Sequence, residues 1–225
     1  MKTSKPFAFV LWADGAELPL YVAECLRYMP GFRWMHYIHH QAEPEPAPLI
    51  SRVKPKPPKP HWHCVAWFDR ATDYQATVGL AVKQWATNHP DNGVCPMSYA
   101  RTHEGKVLNI CSWIAYVIHD PRYMVWLEEK RDKPESHKTA YKWDDLKSTD
   151  DETLNEQCHN AQAWIEQTVR RMRDFEEAKE RGSTATSLHE ALSECANYAQ
   201  MQTTFAMYRA RRIDDQEAIN KTYRQ

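Results

Sequence analysis

The sequence lacks a long apolar segment of the kind that a membrane-spanning helix requires, since no apolar run approaches about 20 residues. Its first residues, MKTSKPFAFVLW, lead directly into a strand-like segment and do not have the pattern of a signal peptide. We therefore expect a cytoplasmic protein. A glycine-rich Walker loop is also missing, so the sequence shows no motif of a nucleotide hydrolase.

The cysteines are too scattered for a zinc finger or a disulfide framework. None of the six forms a C-x-x-C pair, and most lie within apolar stretches, as buried free thiols do. The formal net charge of −1 provides no overall basic field, so binding of nucleic acid would depend on local basic patches. One such patch, RVKPKPPKP at residues 52–60, lies in a proline-rich segment that disfavours regular structure.

The 225 residues are enough for one domain with an appendage or for two small domains. In the N-terminal part, the apolar patterns predict strands at 6–13, 32–39, 61–68, 98–101 and 107–110 and helices at 17–29, 73–87 and from residue 111. This order predicts an α+β domain over residues 1–148, with an antiparallel sheet and helices on one face.

The composition changes after about residue 147, where strand-like runs end. Apolar residues at spacings of three and four predict two helices, at residues 150–181 and 187–219, around a break at GSTATS. We therefore expect an all-α segment over residues 149–225. Because two helices alone bury only a small core, we interpret this segment as an oligomerisation or partner-binding region.

The run HWHCVAWF, residues 61–68, is the most distinctive chemical feature. Alternate side chains of a β-strand share a face, so His61 and His63 would lie on the same side of a buried sheet. Two imidazoles placed in this way can bind one metal ion. A histidine pair on a strand can equally be exposed at the strand end or hydrogen-bonded under a loop.

The end of the preceding strand, in IHHQAEPEP, supplies further candidate ligands. His39 is a candidate third imidazole, and Glu43 or Glu45 could add an oxygen ligand. Alternation alone does not decide whether His39 or His40 faces inward, and either can be a solvated turn residue.

The segment CSWIAYVIHDPRYM, which begins at residue 111, contains a candidate nucleophile. Tyr116 and His119 are three residues apart and would share one face of the predicted helix. The simpler interpretation of Tyr116 is a core tyrosine whose hydroxyl is hydrogen-bonded.

These motifs together resemble those of the replication initiators of small rolling-circle plasmids, the single-tyrosine members of the HUH endonuclease superfamily. The same order is found in both: an apolar strand (PFAFVLW), a histidine turn (IHH), a basic loop leading to KPHWHCVAWF, and the tyrosine pattern YVIH at residues 116–119. YKWDDL, residues 141–146, looks like the sequence that closes their catalytic domain. The resemblance covers roughly residues 5–147. The initiators often have a His-Asp-x-Asp turn, whereas this chain has His-His-Gln-Ala-Glu at residues 39–43.

The resemblance implies an HUH endonuclease-like fold and metal-dependent, site-specific nicking and joining of DNA. His39, His61, His63 and Glu43 would hold Mn²⁺ or Mg²⁺, which would offset charge on the scissile phosphate. The tyrosine at position 116 would attack the phosphorus, giving a 5′-phosphotyrosine and a free 3′-hydroxyl that primes replication. The role of His119 would be to orient that tyrosine.

The implied partners are double- and single-stranded DNA at a bacterial replication origin, host helicase and polymerase, and a second copy of the chain. Phosphates would be contacted by basic residues of the proline-rich loop, although a solvated loop is an equal alternative; these residues are Arg52, Lys54, Lys56 and Lys59. Trp62 could stack on unpaired bases. Tyr123 could be a second nucleophile or a packing residue.

Two alternatives to a replication initiator stay open at this point. A relaxase or transposase of the same superfamily would use the same histidine pair and tyrosine. A non-catalytic origin-binding repressor or assembly protein would use the histidines structurally.

Overall fold

The structure is a computed structural model that describes residues 2–3, 5–13, 15–41, 59–90, 97–99, 107–131, 138–184, 192, 195 and 198–222. The chain divides into two compact units, Met1–Ile165 and Glu166–Gln225. No helix in the described part of the chain combines the length and the hydropathy that a membrane crossing needs.

The first unit contains all the described strands: β1 (Lys2–Thr3), β2 (Phe7–Leu11), β3 (Phe32–His40), β4 (His61–Phe68), β5 (Thr72–Asp73), β6 (Met97–Tyr99) and β7 (Lys147–Ser148). Its helices are α1 (Glu17–Arg27), α2 (Val78–Asn88), α3 (Ile110–Val117) and α4 (Pro121–Arg131), with a 3₁₀ turn at Trp143–Asp145. The division between the units falls within α5 (Asp151–Thr184), and the second unit also contains α6 (Tyr198–Thr222).

The main sheet has the strand order β6-β2-β4-β3-β7, and every neighbouring pair in it is antiparallel. The predicted α+β class with an antiparallel sheet is therefore confirmed. The central strands β3 and β4 pair from Phe32 opposite Phe68 to His40 opposite His61. This register brings the histidine-bearing ends of both strands together.

Helices lie on both faces of the sheet, whereas the order of elements in the sequence predicted them on one face. One face packs on α1 and α2 through a core that includes Phe7, Phe9, Leu18, Val22, Met35, Cys64 and Val82. The other face packs on α3 and the start of α5 through Ile38, Ile114, Val117, Ile118, Leu146, Leu154 and Ala161. Because alternate residues of a strand point to opposite faces, β3 supplies both cores, with Met35 in the first and Ile38 in the second.

The helix predicted at 17–29 is confirmed as α1, which ends before Pro30. Gly31 follows with a φ of 84°, where a side chain would be strained and would meet Asp69. The helix predicted at 73–87 begins later, at Val78. Its start is delayed because the Asp73 carboxylate accepts hydrogen bonds from the backbone N–H groups of Gln75 and Ala76 and holds a turn there.

No strand is present at residues 107–110, where one was predicted. Asn109 instead caps α3, because its side-chain oxygen accepts hydrogen bonds from the backbone N–H groups of Cys111 and Ser112. Val107 is hydrogen-bonded to the residue that precedes β2, since its N–H donates to the carbonyl of Pro6 over 2.7 Å.

The single helix predicted from residue 111 is two helices, α3 and α4. The break lies at His119, the one described non-glycine residue with a positive φ, of 50°. Asp120 then caps α4 by accepting a hydrogen bond from the backbone N–H of Arg122 at 3.0 Å, and Pro121 occupies the first helical position. An aspartate followed by proline is a helix-start signal, and it explains why the chain turns here.

In the second unit, α5 and α6 approach closely around Gly182. A Cβ atom at this position would collide with the backbone carbonyl of Thr204. The buried hydroxyl of Thr204 donates to the carbonyl of Ala178 over 3.1 Å, which joins the two helices. Most of residues 185–197 lie outside the described residues. The all-α character of residues 149–225, their boundary and their role therefore stay predictions.

Candidate metal centre and its neighbouring tyrosine

Three histidines from two strands form a cluster where β3 and β4 pair. The register places His40 opposite His61, and alternation along β4 puts His63 on the same face. Ligand atoms of these three residues all lie within 4.8 Å of one another. We call His40, His61 and His63 the histidine triad. It is the group that the described residues offer for holding a metal ion.

His39 lies on the opposite face of β3 and does not join the triad. It is opposite Trp62 in the register, and its ring centroid lies 4.7 Å from the Trp62 ring. Trp62 belongs to the core under α1 and α2. We therefore replace His39 by His40 as the candidate third ligand. The sequence left this choice open because the face of each histidine depends on the register.

The surroundings of His40 and His63 favour neutral imidazoles. Burial lowers the pKa of His63 well below its ordinary value, and the neighbouring His40, His61 and His119 lower it further. Burial likewise lowers the pKa of His40 to about 3, with His119 adding to the effect and a hydrogen bond to Val117 opposing it. Only a neutral imidazole has the lone pair that a metal ion needs.

Backbone carbonyls fix the ring orientation of two members of the triad. Nε2 of His40 lies 2.6 Å from the carbonyl oxygen of Val117, and Nδ1 of His61 lies 2.9 Å from that of Lys59. Since a carbonyl only accepts hydrogen bonds, these nitrogens carry the protons. In the neutral rings, the lone pairs are thus on Nδ1 of His40 and Nε2 of His61.

The spacing of the His61 and His63 nitrogens fits one shared ion. Nε2 of His61 lies 3.2 Å from Nε2 of His63. Two nitrogens that bind one ion at about 2.1 Å are about 3.0–3.4 Å apart, for coordination angles between octahedral and tetrahedral. Three imidazoles, two of them oriented by backbone carbonyls, are a donor set for a divalent transition metal.

Tyr116, in the last turn of α3, lies beside the triad. Its ring centroid is 6.2 Å from that of His63 in an edge-to-face arrangement. The side chain is half-buried, and its hydroxyl accepts a hydrogen bond from Nζ of Lys138 at 3.3 Å. The phenol is therefore anchored at the edge of the core under α3, with its oxygen bound to a cation.

His119 is also close to Tyr116, but for a different reason from the one predicted. It lies beyond the end of α3, so the two residues do not share a helical face. The turn at His119 nevertheless leaves the ring centroids of Tyr116 and His119 6.2 Å apart. It also places the His119 centroid 4.6 Å from that of His40. Its Nδ1 donates to the carbonyl of Thr139 over 2.9 Å.

Residues 138–141, which we call the site segment, were not predicted as part of the site. Tyr141 stacks on His40 with ring centroids 4.5 Å apart and an interplanar angle of 7°. Its backbone N–H donates to the carbonyl of Ile118, and its hydroxyl accepts from the backbone N–H of Gln41. The YKWDDL motif, which begins at Tyr141, was the available signal, but a motif does not show which ring an aromatic residue contacts.

The predicted DNA-contacting and oxygen-ligand residues are mostly outside the described part of the chain: Glu43, Arg52, Lys54 and Lys56. Lys59 is described, and its side chain is exposed just before β4. These residues keep the status of predictions.

Two aromatic residues named in the sequence analysis, Trp62 and Tyr123, are buried. Trp62 is only 8% exposed, so it does not offer a face to unpaired bases. Trp12 is exposed beside the triad instead, with its ring centroid 5.0 Å from that of His61. Tyr123 is buried with its hydroxyl 2.9 Å from that of Ser112, which agrees with packing.

Comparisons with protein-family models, with curated proteins and with solved structures find no match to this chain. The chemistry of the histidine triad and its tyrosine therefore carries the functional proposal.

Proposed function

We propose that this protein is a metal-dependent DNA-nicking and joining enzyme of the HUH type that initiates rolling-circle replication of a bacterial plasmid. The observation that carries the proposal is the histidine triad with the Tyr116 ring 6.2 Å from that of His63. A donor set for a divalent ion next to a potential nucleophile suits transfer of a phosphodiester to tyrosine. The predicted order of motifs along the chain also supports it.

The triad would hold the ion through His40, His61 and His63, with Glu43 as a candidate oxygen ligand. A bound divalent ion acts as a Lewis acid that stabilises negative charge on a phosphate oxygen. Of the two ions expected, three imidazole donors favour Mn²⁺ over Mg²⁺, which prefers oxygen ligands.

The hydroxyl oxygen of Tyr116 is the proposed nucleophile. It forms a bond to phosphorus while the bond from phosphorus to the 3′-oxygen breaks, so a 5′-phosphotyrosine and a 3′-hydroxyl result. One phosphate ester is exchanged for another, and the reverse step can rejoin the strand. His119, whose Nδ1 donates to the Thr139 carbonyl, would orient the phenol ring.

The proposed setting is a bacterial cytoplasm, with double- and single-stranded DNA at a replication origin as substrate. The basic residues of the 52–60 loop would position the DNA through its phosphates. A host helicase and polymerase would act after nicking, and residues 149–225 would mediate self-association.

A relaxase or transposase would use the same triad and tyrosine for the same chemistry. It would differ from a replication initiator in the DNA substrate that it cleaves and joins. Joining of two different DNA ends, or action at a transfer origin, would favour it. An origin-binding repressor or assembly protein would bind specifically without cleaving under any divalent ion.

The test is nicking of supercoiled DNA of the replicon that encodes the protein, with Mn²⁺, Mg²⁺ or chelator. We expect wild type to nick only with a divalent ion, and His61→Ala to lose both nicking and Mn²⁺ binding. His39→Ala is the matched control, since it removes a histidine from the other face of the same strand pair. Equal nicking by His61→Ala and His39→Ala would contradict the triad, and specific binding without cleavage by wild type would favour the repressor.

A further inference from the structure

We infer that Lys138 is a catalytic residue that stabilises the oxygen of Tyr116 as it becomes the attacking nucleophile; this inference rests on the proposed function. Sequence motifs gave no reason to select Lys138, which lies 22 residues after the tyrosine. Its assignment comes from the contacts that the fold creates.

Two contacts hold the Lys138 ammonium on the tyrosine. Its Nζ donates a hydrogen bond to the phenolic oxygen at 3.3 Å, and it lies 4.8 Å from the centroid of the same ring. A hydrogen bond from a cation strengthens when the acceptor becomes an anion. The contact is therefore worth more in the transition state, when the tyrosine oxygen has lost its proton, than in the resting enzyme.

The backbone around Lys138 is fixed to the site by contacts of Thr139 and Tyr141. The carbonyl of Thr139 accepts from His119, and Tyr141 both stacks on His40 and donates its N–H to Ile118. These contacts limit where the lysine side chain can begin. The ammonium is thus held near the phenol by the fold, which is the preorganisation that electrostatic catalysis requires.

The proposed step balances with the lysine protonated throughout. The phenol loses its proton to water, the phenolate oxygen bonds to phosphorus, and the bond from phosphorus to the 3′-oxygen breaks. The leaving 3′-oxygen takes a proton from water and becomes the 3′-hydroxyl. Lys138 compensates charge at the nucleophile and transfers no proton.

The chain offers a matched control for removal of this cation. Lys130, in α4, also places an ammonium over an aromatic ring, 4.7 Å from the centroid of Trp126. Lys130→Met and Lys138→Met therefore remove the same charge and the same kind of ring contact. Only the second change affects the phenolic oxygen at the triad.

The experiment measures formation of the covalent adduct in a single turnover, with excess enzyme, Mn²⁺ and a single-stranded oligonucleotide that contains the nicked sequence. We expect Lys138→Met to form adduct about 10²-fold more slowly, the loss typical of one removed charge-stabilising donor. Lys138→Arg should keep most of the rate, and Lys130→Met should match wild type. Affinity for the oligonucleotide should be similar in Lys138→Met and Lys130→Met.

A second substrate separates action at the nucleophile from action at the leaving group. In it, sulfur replaces the bridging 3′-oxygen, so the leaving group departs without help from a proton donor. The defect of Lys138→Met should persist with this substrate. If the sulfur substrate restores the rate, Lys138 acts on the leaving group and the inference is wrong.

Failures of the inference and of the proposed function give different results. If wild type forms the adduct and Lys138→Met forms it equally fast, the inference fails and the proposed function stands. If wild type forms no adduct with any divalent ion, both fail. Should Lys138→Met melt well below wild type, Lys138→Gln replaces it, and a normal rate in that variant is equally contradictory.

Discussion

His36 should make the folded protein lose stability as the pH falls below neutrality. Its side chain is fully buried in β3, with Nδ1 2.7 Å from the Ser148 hydroxyl and Nε2 3.1 Å from Oε1 of Gln157. The ring also stacks on Trp34, with centroids 4.2 Å apart. Burial lowers the pKa of His36 to about 4, although the bond to Gln157 and two nearby aspartates oppose this effect.

The sign follows from counting protons in the two states. In the unfolded chain, the pKa of a histidine is about 6.5, so between pH 6.5 and 4 the unfolded chain binds a proton that folded His36 does not. Stability is therefore fully present above pH 6.5, falls through this window and levels off below about pH 4. A pKa difference of one corresponds to about 1.36 kcal/mol of stability, so a difference of about 2.5 corresponds to a loss of about 3 kcal/mol in the free energy of unfolding.

The assay is urea unfolding of wild type and His36→Phe at several values of pH between 7 and 4. Phenylalanine keeps a ring against Trp34 but cannot take up a proton. Wild type should lose about 3 kcal/mol more than His36→Phe across the window. Acid effects of the triad are common to both proteins and cancel in the difference. Parallel stability curves for the two proteins would refute the reasoning.

Two further predictions concern single positions whose backbone the fold constrains. At His119, φ is 50°, a conformation that glycine adopts without strain. The free energy of unfolding of His119→Gly should therefore exceed that of His119→Ala by about 1 kcal/mol, seen as a higher urea midpoint. Equal midpoints would show that the strain is absent. In the second unit, Gly182→Ala should lower the melting temperature followed by circular dichroism. The new methyl group would collide with the backbone carbonyl of Thr204, which cannot move aside as a flexible side chain can. The overpacking cost should therefore lie toward the upper end of about 1–3 kcal/mol and exceed the gain in helix propensity of about 1 kcal/mol; an unchanged or raised melting temperature would contradict this packing.

The strands that form the site could be predicted because their side chains alternate and their apolar content is high. The shared face of His61 and His63 required only the period of a strand. The choice between His39 and His40 required the register of β3 against β4, which depends on long-range pairing. The sequence therefore predicted that histidines converge, but not which of the two joins them.

The other differences also arise from tertiary packing or from local caps. β3 and β4 have apolar residues on both faces, which is the pattern of strands covered by helices on both sides. The amino-acid composition of so short an apolar stretch does not by itself show whether one face or both faces of the strand are buried. The break at His119 could have been found from the Asp-Pro pair that follows it. Lys138 and Tyr141 reach the triad through the path of the chain, which no local pattern encodes.

We expect Tyr116 to form a covalent bond to DNA at a metal site built by the histidine triad. The most direct measurement is mass spectrometry of the protein after reaction with the encoding replicon's DNA and Mn²⁺, for wild type and for Tyr116→Phe. The proposed chemistry predicts a nucleotide adduct on the peptide that contains Tyr116, and no adduct or nicking in Tyr116→Phe. Nicking by Tyr116→Phe at the wild-type rate would contradict the account and would make Tyr116 a structural residue.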